Sequence, residues 1–256
     1  MALFNFEGKK YIIFGASSGI GRQTALQLSL FGAQLILVGR NENRLKQTNE
    51  MLEGDKHRIL VCDVSDFESA RAVVKKAVDI DGVKLDGCVF SAGIYAMLPI
   101  GVVTEERINK IFSTNVFSLM AIMKTFASKR VSVDGASFVS VSSRASFIPD
   151  KSQGVYAASK AAINSYTIAA AKEMAFRNIR FNSVCPEAVN TDMGAGLKEN
   201  LSNEALLKIY PLGMLEAEDV AYSILFLLSD MSKKITGQSI WLNAGNDGGS
   251  IEGHIV

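Results

Sequence analysis

The sequence is poor in the residues that staple a chain, hold metals or act as ready-made bases. Among 256 residues there are three cysteines, two histidines, four prolines and one tryptophan. Cys62, Cys88 and Cys185 are scattered, each within or ending an apolar β-like run. They read as buried small hydrophobes in a reducing compartment, and neither disulfides nor a metal site is expected. His57 lies in a polar segment and His254 near the end of the tail, so a Ser-His-Asp hydrolase has no candidate base. Charge nearly cancels, at +1 overall, which argues against nucleic acid or an anionic membrane as a partner. The longest apolar runs, such as 224–228, are far too short to span a bilayer. Residues 1–11 carry charges and lack the apolar core of a signal peptide. No repeat, low-complexity tract or Pro/Gly/Ser-rich linker interrupts the chain. The expectation is one cytoplasmic domain, 1–256, acting on a small molecule.

What is present is alternation. Short β-rich runs at 10–15, 34–39, 58–62, 87–90, 136–142, 179–184 and 239–242 are separated by helical stretches near 19–31, 42–52, 67–79, 105–130, 152–177 and 218–228. Continuous apolar strands alternating with helices predict a parallel sheet covered on both faces. With right-handed crossovers this becomes a Rossmann-like, doubly wound α/β fold of seven strands, order 3-2-1-4-5-6-7. Segment 191–211 is the longest without a strand. It contains Gly194, Gly196 and a helix-like 203–209, and reads as a lid over a site or as a surface connection. Residues 113–123 carry no charge, and 155–171 only Lys160. Helices this apolar need cover on more than one side. The expectation is a homo-oligomer, dimer or tetramer, joined through the helices near 105–130 and 152–177; deep burial within one chain is the alternative.

Two local patterns point to chemistry. Gly15-Ala16-Ser17-Ser18-Gly19-Ile20-Gly21 follows the first strand and opens a helix. Glycines there permit a tight turn and close approach of a ligand, and the helix N-terminus offers free N–H groups to a phosphate. Tyr156 and Lys160 are four apart on a helix, hence on one face. A phenol titrates near 10, and a nearby cation lowers that value toward a useful acid/base. Taken alone, such a pair is more often coincidence than machinery.

The patterns converge on a family. Gly15-x-x-x-Gly19-Ile20-Gly21, Asn115, Ser143 and Tyr156-x-x-x-Lys160 occur in order and at matching separations. Asp63-Val64, Ala92-Gly93, Pro186-x-x-Val189-x-Thr191 and Ile235-Thr236-Gly237-Gln238 extend the match over almost the whole chain. The sequence resembles the short-chain dehydrogenase/reductases, in their compact single-domain branch. The resemblance implies hydride transfer between a nicotinamide cofactor and a carbonyl or secondary alcohol. Ser143 and Tyr156 would polarise and protonate the oxygen. Lys160 would tune the phenol and hold the nicotinamide ribose, and Asn115 would steady Lys160 through water. The cofactor contacts implied are Gly15, Ser17, Ser18, Gly19, Ile20 and Gly21 at the phosphates, Asp63 and Val64 at the adenine, and Ala92 and Gly93 along the groove. Pro186, Val189 and Thr191 would border the nicotinamide. Asp63 equally suits a turn cap. Ser91 stands where the family often has Asn, which weakens or replaces one cofactor hydrogen bond.

The second strand ends without a carboxylate and is followed by Arg40. An Arg fork matches a 2′-phosphate, so NADP(H) is preferred over NAD(H), with Arg22 as a second positive group. Ser143 is favoured over its neighbour Ser142 by its separation from the tyrosine. Substrate walls are expected from Ile94, Tyr95, 145–149 including Ala145, and 193–206, mostly apolar and suited to a hydrophobic ketone. Glu187 replaces the family's glycine after Pro186; it reaches the substrate or, as the preferred reading, points outward. Asn243-Ala244-Gly245 likewise departs from an acidic, Gly-rich family segment. A 3-oxoacyl-carrier-protein reductase is an alternative, with Lys129, Arg130 and Arg177 as a docking patch for an acidic partner. Those cations equally complement helix dipoles. The alternative of another class is a dinucleotide-binding regulator without turnover. A sugar epimerase would need a longer chain.

Overall fold

The computed structural model describes residues 4–193 and 202–246. Among the described residues nine strands form in chain order: β1 Lys10–Phe14, β2 Gln34–Gly39, β3 Arg58–Val61, β4 Leu85–Phe90, β5 Ser132–Val141, β6 Arg180–Pro186, β7 Val189–Asn190, β8 Leu215–Glu216 and β9 Ser239–Leu242. Seven of them make one sheet, β3-β2-β1-β4-β5-β6-β9, with every pairing parallel. This is the expected doubly wound order, β9 serving as its seventh strand. The pair β7–β8 is an addition, too short for any periodicity to reveal.

Apolar alternation sends neighbouring residues to opposite faces. Ile12, Ile36, Phe138 and Phe181 belong to one core layer; Ile13, Leu35, Leu37, Val139 and Val184 belong to the other. The first layer packs under α3 Phe67–Asp79, α5 Ser118–Phe126 and α6 Gly154–Met174. The second packs under α1 Gly19–Leu30 and α8 Ala217–Leu228. Short helices α2 Glu42–Glu50, α4 Glu105–Phe112 and α7 Asn203–Ile209 also form among the described residues. Asn41, Asp66 and Thr104 cap α2, α3 and α4 by accepting the backbone N–H three residues on, which satisfies one orphan donor at each start.

The helical stretch expected over 105–130 is divided. Between α4 and α5, Ser113–Phe117 widens into a π turn, with the Ser118 N–H bonded to the Ser113 carbonyl. The two stretches poor in charge differ: α5 is buried within the chain, with Lys124 its one exposed residue, whereas α6 is buried on one side only, leaving Ala158, Ala161, Ser165, Ile168 and Ala169 exposed, and Phe117 of the π turn is 45% exposed. Cys88 and Cys185 are buried as expected, but Cys62, which follows the edge strand β3, is only half-buried. Among the described residues no helix is long and apolar enough to cross a membrane.

Candidate active site

A cavity of about 1040 Å³ opens over the C-terminal ends of the parallel strands, where the strand order reverses between β1 and β4 and a doubly wound sheet leaves a crevice. Gly15, Ser17, Ser18, Gly19 and Ile20 line it from the β1–α1 turn, and Arg40, Asp63, Val64, Ala92, Gly93, Ile94 and Tyr95 follow. Ser143, Ala145, Tyr156, Lys160, Pro186, Glu187, Val189 and Thr191 close the other side.

The glycine turn is built for close approach. Gly15 has φ +79, and a β-carbon there would lie 2.8 Å from the Ala92 nitrogen. Gly19 has φ +51 and faces Thr191. Ser18 occupies the N-cap of α1 without a side-chain capping bond, so the first-turn N–H groups have no side-chain partner and border the cavity, an arrangement that fits a phosphate. A dinucleotide therefore fits the residues present. Two expected contacts do not face the cavity. A β-carbon on Gly21 would lie 2.3 Å from the Gly15 oxygen, so Gly21 serves packing within the turn. Arg22 donates to the Ser17 carbonyl at 2.6 Å and to Thr48 at 3.0 Å, bracing the turn from behind. Arg44, which sequence reasoning passed over, lines the cavity in its place. Its signal was available: it stands four residues beyond Arg40 at the start of a helix.

Asp63 caps a turn and also lines the cavity. Its carboxylate accepts the Ser65 N–H at 3.0 Å. That backbone hydrogen bond, ahead of the Arg40 charge, holds its pKa below the usual carboxylate value.

On the reactive side, α6 places Tyr156 and Lys160 side by side, with the Lys160 Nζ 5.7 Å from the Tyr156 ring centre. Tyr95 packs edge-on against Tyr156 at 4.9 Å between centroids. Burial pushes the Tyr156 phenol up to about 12, a hydrogen bond with Ser143 pulls it back, and Tyr95 adds to the rise. The expected lowering by Lys160 is absent, because the ammonium is turned to the Val141 carbonyl at 2.8 Å. Full burial lowers the Lys160 pKa itself to about 8. Ser143 is distinguished from Ser142 by direction. Ser142 donates to the Lys160 carbonyl at 3.1 Å, whereas the Ser143 hydroxyl meets Tyr156 and accepts the Ala145 N–H.

Asn115 sits in the π turn and is fully buried. Its Oδ1 accepts from the Ile94 N–H at 2.8 Å; its Nδ2 donates to the Ile94 carbonyl and to Ser159, each at 3.0 Å. It thus clamps the backbone after β4. A β-carbon on Gly93 would lie 3.3 Å from Asn115 Oδ1 and 3.4 Å from Lys160 Nζ, so glycine alone leaves room between the two.

The substrate end differs from expectation. Glu187 does not point outward. Its carboxylate accepts from Arg144 Nε at 2.9 Å, with both side chains 4% exposed. Trp241 also hydrogen-bonds to Glu187. Burial raises the Glu187 pKa and Arg144 pulls it back. Arg144 further donates to the Ile148 carbonyl at 2.6 Å and to Asp150 at 3.1 Å. Arg144, Asp150 and Gln153 therefore join the lining, while of residues 145–149 only Ala145 does. Met193 lines the cavity, Leu206 is buried in the core, and Gly194, Gly196 and the rest of 194–201 lie outside the described residues. Arg177, expected in a docking patch, is buried and donates to Asp134 at 2.7 Å.

Known proteins bear on this arrangement. A family model described as Enoyl-(Acyl carrier protein) reductase matches residues 15–247. The chain is 32% identical to the 3-oxoacyl-acyl-carrier-protein reductase of Rickettsia conorii over 95% of its own length and 98% of the relative's. It is 33% identical to L-xylulose reductase of Caenorhabditis elegans, with the same coverage. A short-chain dehydrogenase of Burkholderia cenocepacia, solved in complex with NADP, superposes with a TM-score of 0.86 at 25% identity, over 94% of this chain and 99% of that one. Fold, site geometry and these likenesses agree: the chain belongs to the short-chain dehydrogenase/reductase family.

Proposed function

We propose that this chain is an NADP(H)-dependent oxidoreductase that interconverts a carbonyl and a secondary alcohol. The observation that carries the reading is the Ser143 hydroxyl set against the Tyr156 phenol beside Lys160, all three lining one cavity with the glycine turn. When bound, NADPH supplies the hydride. Tyr156 donates its proton to the substrate oxygen as negative charge develops there, and Ser143 stabilises that charge with a hydrogen bond. Lys160, held at the Val141 carbonyl, binds the nicotinamide ribose, and Asn115 clamps the Ile94 backbone next to it. Gly15, Ser17, Ser18, Gly19 and Ile20 cradle the pyrophosphate, and Arg40 takes the 2′-phosphate. Asp63 and Val64 border the adenine, Ala92 and Gly93 line the groove, and Pro186, Val189 and Thr191 border the nicotinamide. Ile94, Ala145 and Glu187 flank the substrate.

NADP(H) is favoured by Arg40 at the end of β2, where no carboxylate stands, and by the NADP complex of the Burkholderia relative. The test is kcat/KM with NADPH and NADH against a panel of ketones, β-ketoacyl thioesters, ketoses and steroids. Turnover with NADPH and its loss in Tyr156→Phe support the reading. Tight NADPH binding without turnover on any carbonyl would make the chain a dinucleotide-binding regulator instead. The 3-oxoacyl reading draws on the Rickettsia relative, but Arg177, neutralised by Asp134, adds nothing to a carrier-protein patch. The exposed uncharged face of α6 supports a homo-oligomer.

A further inference from the structure

Arg44 and Asp192 face each other across the mouth of the cavity. They are 148 residues apart in sequence, yet Arg44 Nη2 lies 2.5 Å from Asp192 Oδ2. Both line the cavity alongside Ser17, Arg40 and Asn41. Arg44 is fixed at that edge because its backbone N–H is capped by the Asn41 side chain at 3.0 Å. Asp192 stands at the facing edge, following Thr191, whose side chain faces Gly19 of the phosphate turn. The ion pair therefore lies over the cavity mouth, next to the arginine that follows β2.

We propose that Arg44 is a second ligand of the cofactor 2′-phosphate and that Asp192 is an internal anion which competes with that phosphate for it. The inference rests on the NADP(H) reading given above. The surroundings of Asp192 are those of an anion site. The hydrogen bond and charge of Arg44, together with the charge of Arg22 behind the glycine turn, hold its carboxyl below the usual range. Cations from α1 and α2 thus converge on the carboxylate. The pair itself is weak. Its side chains are 44% and 76% exposed, and exposed pairs are screened and entropically costly to hold. A phosphate carries more charge than a carboxylate and suits the guanidinium fork at least as well. Exchange of one partner for the other costs little and gains a stronger contact. While the pair is closed, Arg44 is withheld, so the apparent affinity is lower than the intrinsic one.

This assigns opposite signs to two substitutions on opposite walls. The test measures Kd for NADP⁺ and for NAD⁺ by calorimetry with the full chain, requiring no substrate. Arg44→Gln is expected to weaken NADP⁺ about tenfold, equal to about 1.4 kcal/mol, and to leave NAD⁺ within about twofold; Arg44→Lys should recover part of the loss. Asp192→Asn is expected to tighten NADP⁺ about threefold and more than it tightens NAD⁺. In the Arg44→Gln background that extra gain for NADP⁺ should vanish, because Asp192 acts through Arg44. An unchanged NADP⁺ Kd in Arg44→Gln, or equal losses for both dinucleotides, would overturn the assignment of Arg44. Weaker NADP⁺ binding in Asp192→Asn would overturn the competition, making the carboxylate a brace for Arg44. The cofactor reading fails separately, if the unaltered protein binds NAD⁺ more tightly than NADP⁺.

Discussion

Arg144 and Glu187 form a buried ion pair, 2.9 Å between Nε and Oε1, that joins the residue after Ser143 to the residue after Pro186. It ties the end of β5 to the end of β6 at the floor of the cavity. Removing one partner of such a pair strands a buried charge and typically costs ~3–5 kcal/mol. Asp150 remains on the guanidinium, so Glu187→Ala should cost the lower end of that range and Glu187→Gln less. Urea unfolding midpoints for the two variants check this; equal midpoints for Glu187→Ala and the unaltered protein would show that the pair holds nothing together.

Ser142 and Ser143 should separate cleanly in kinetics. Removing a hydrogen-bond donor to a developing oxyanion costs roughly 10²–10³ in kcat, and that is the expectation for Ser143→Ala. Ser142→Ala loses bonds to the Lys160 carbonyl and to Cys185 and should lower stability by about 1 kcal/mol while retaining most of the rate. Steady-state assays on whichever carbonyl the panel identifies decide the matter, and a reversed ranking would move the role to Ser142.

Lys160 should cost the fold stability below its own pKa. Its value falls from 10.5 unfolded to about 8 folded through burial. Between those limits the unfolded chain binds the extra proton, so stability rises with pH through about 8 to 10.5; below 8 the full penalty applies. A shift of that size is worth ~3 kcal/mol. Lys160→Met should therefore be more stable than the parent at pH 7, with the advantage shrinking toward pH 10.5. Denaturant unfolding of both proteins at the two pH values measures it; a constant gap would contradict the burial of a charged lysine.

The uncharged face of α6 should be an assembly surface. Ala161 and Ser165 are exposed there on a helix whose one charge between 155 and 171, Lys160, is buried. Arg at both positions places charge where a second copy would press and should lower the mass in light scattering without changing the circular dichroism. Monomers before substitution would remove the oligomer from consideration.

Legibility from sequence followed the range of the interaction. Tyr156 with Lys160 and the glycine turn are local patterns, and each reaches the cavity as read, apart from Gly21. The strand order was accessible because buried parallel strands are continuous apolar runs and right-handed crossovers prune the alternatives. What escaped was set by distant partners. Sequence alone favours an outward Glu187 because Arg144 lies 43 residues away, and offers Arg177 to a docking patch because Asp134 is equally distant in sequence. Arg22 and Arg44 exchanged places for the same reason, since nothing local says which cation turns inward. The Tyr156 phenol was expected to be lowered by its neighbour, but neighbour spacing says nothing of desolvation.

The π turn at Ser113–Phe117 carries one residue more than an α-helical turn would hold. Each residue in an α-helix turns the chain by ~100°, so this insertion sets the angular phase between α4 and α5. Deleting one residue there would restore a continuous helix, and either Asn115 would swing off the Ile94 backbone or the apolar stripe of α5 would rotate away from the sheet. The clamp on the active-site loop and the packing of a core helix are thus indexed against each other by a single extra residue, and length, more than composition, is what this stretch of chain must preserve.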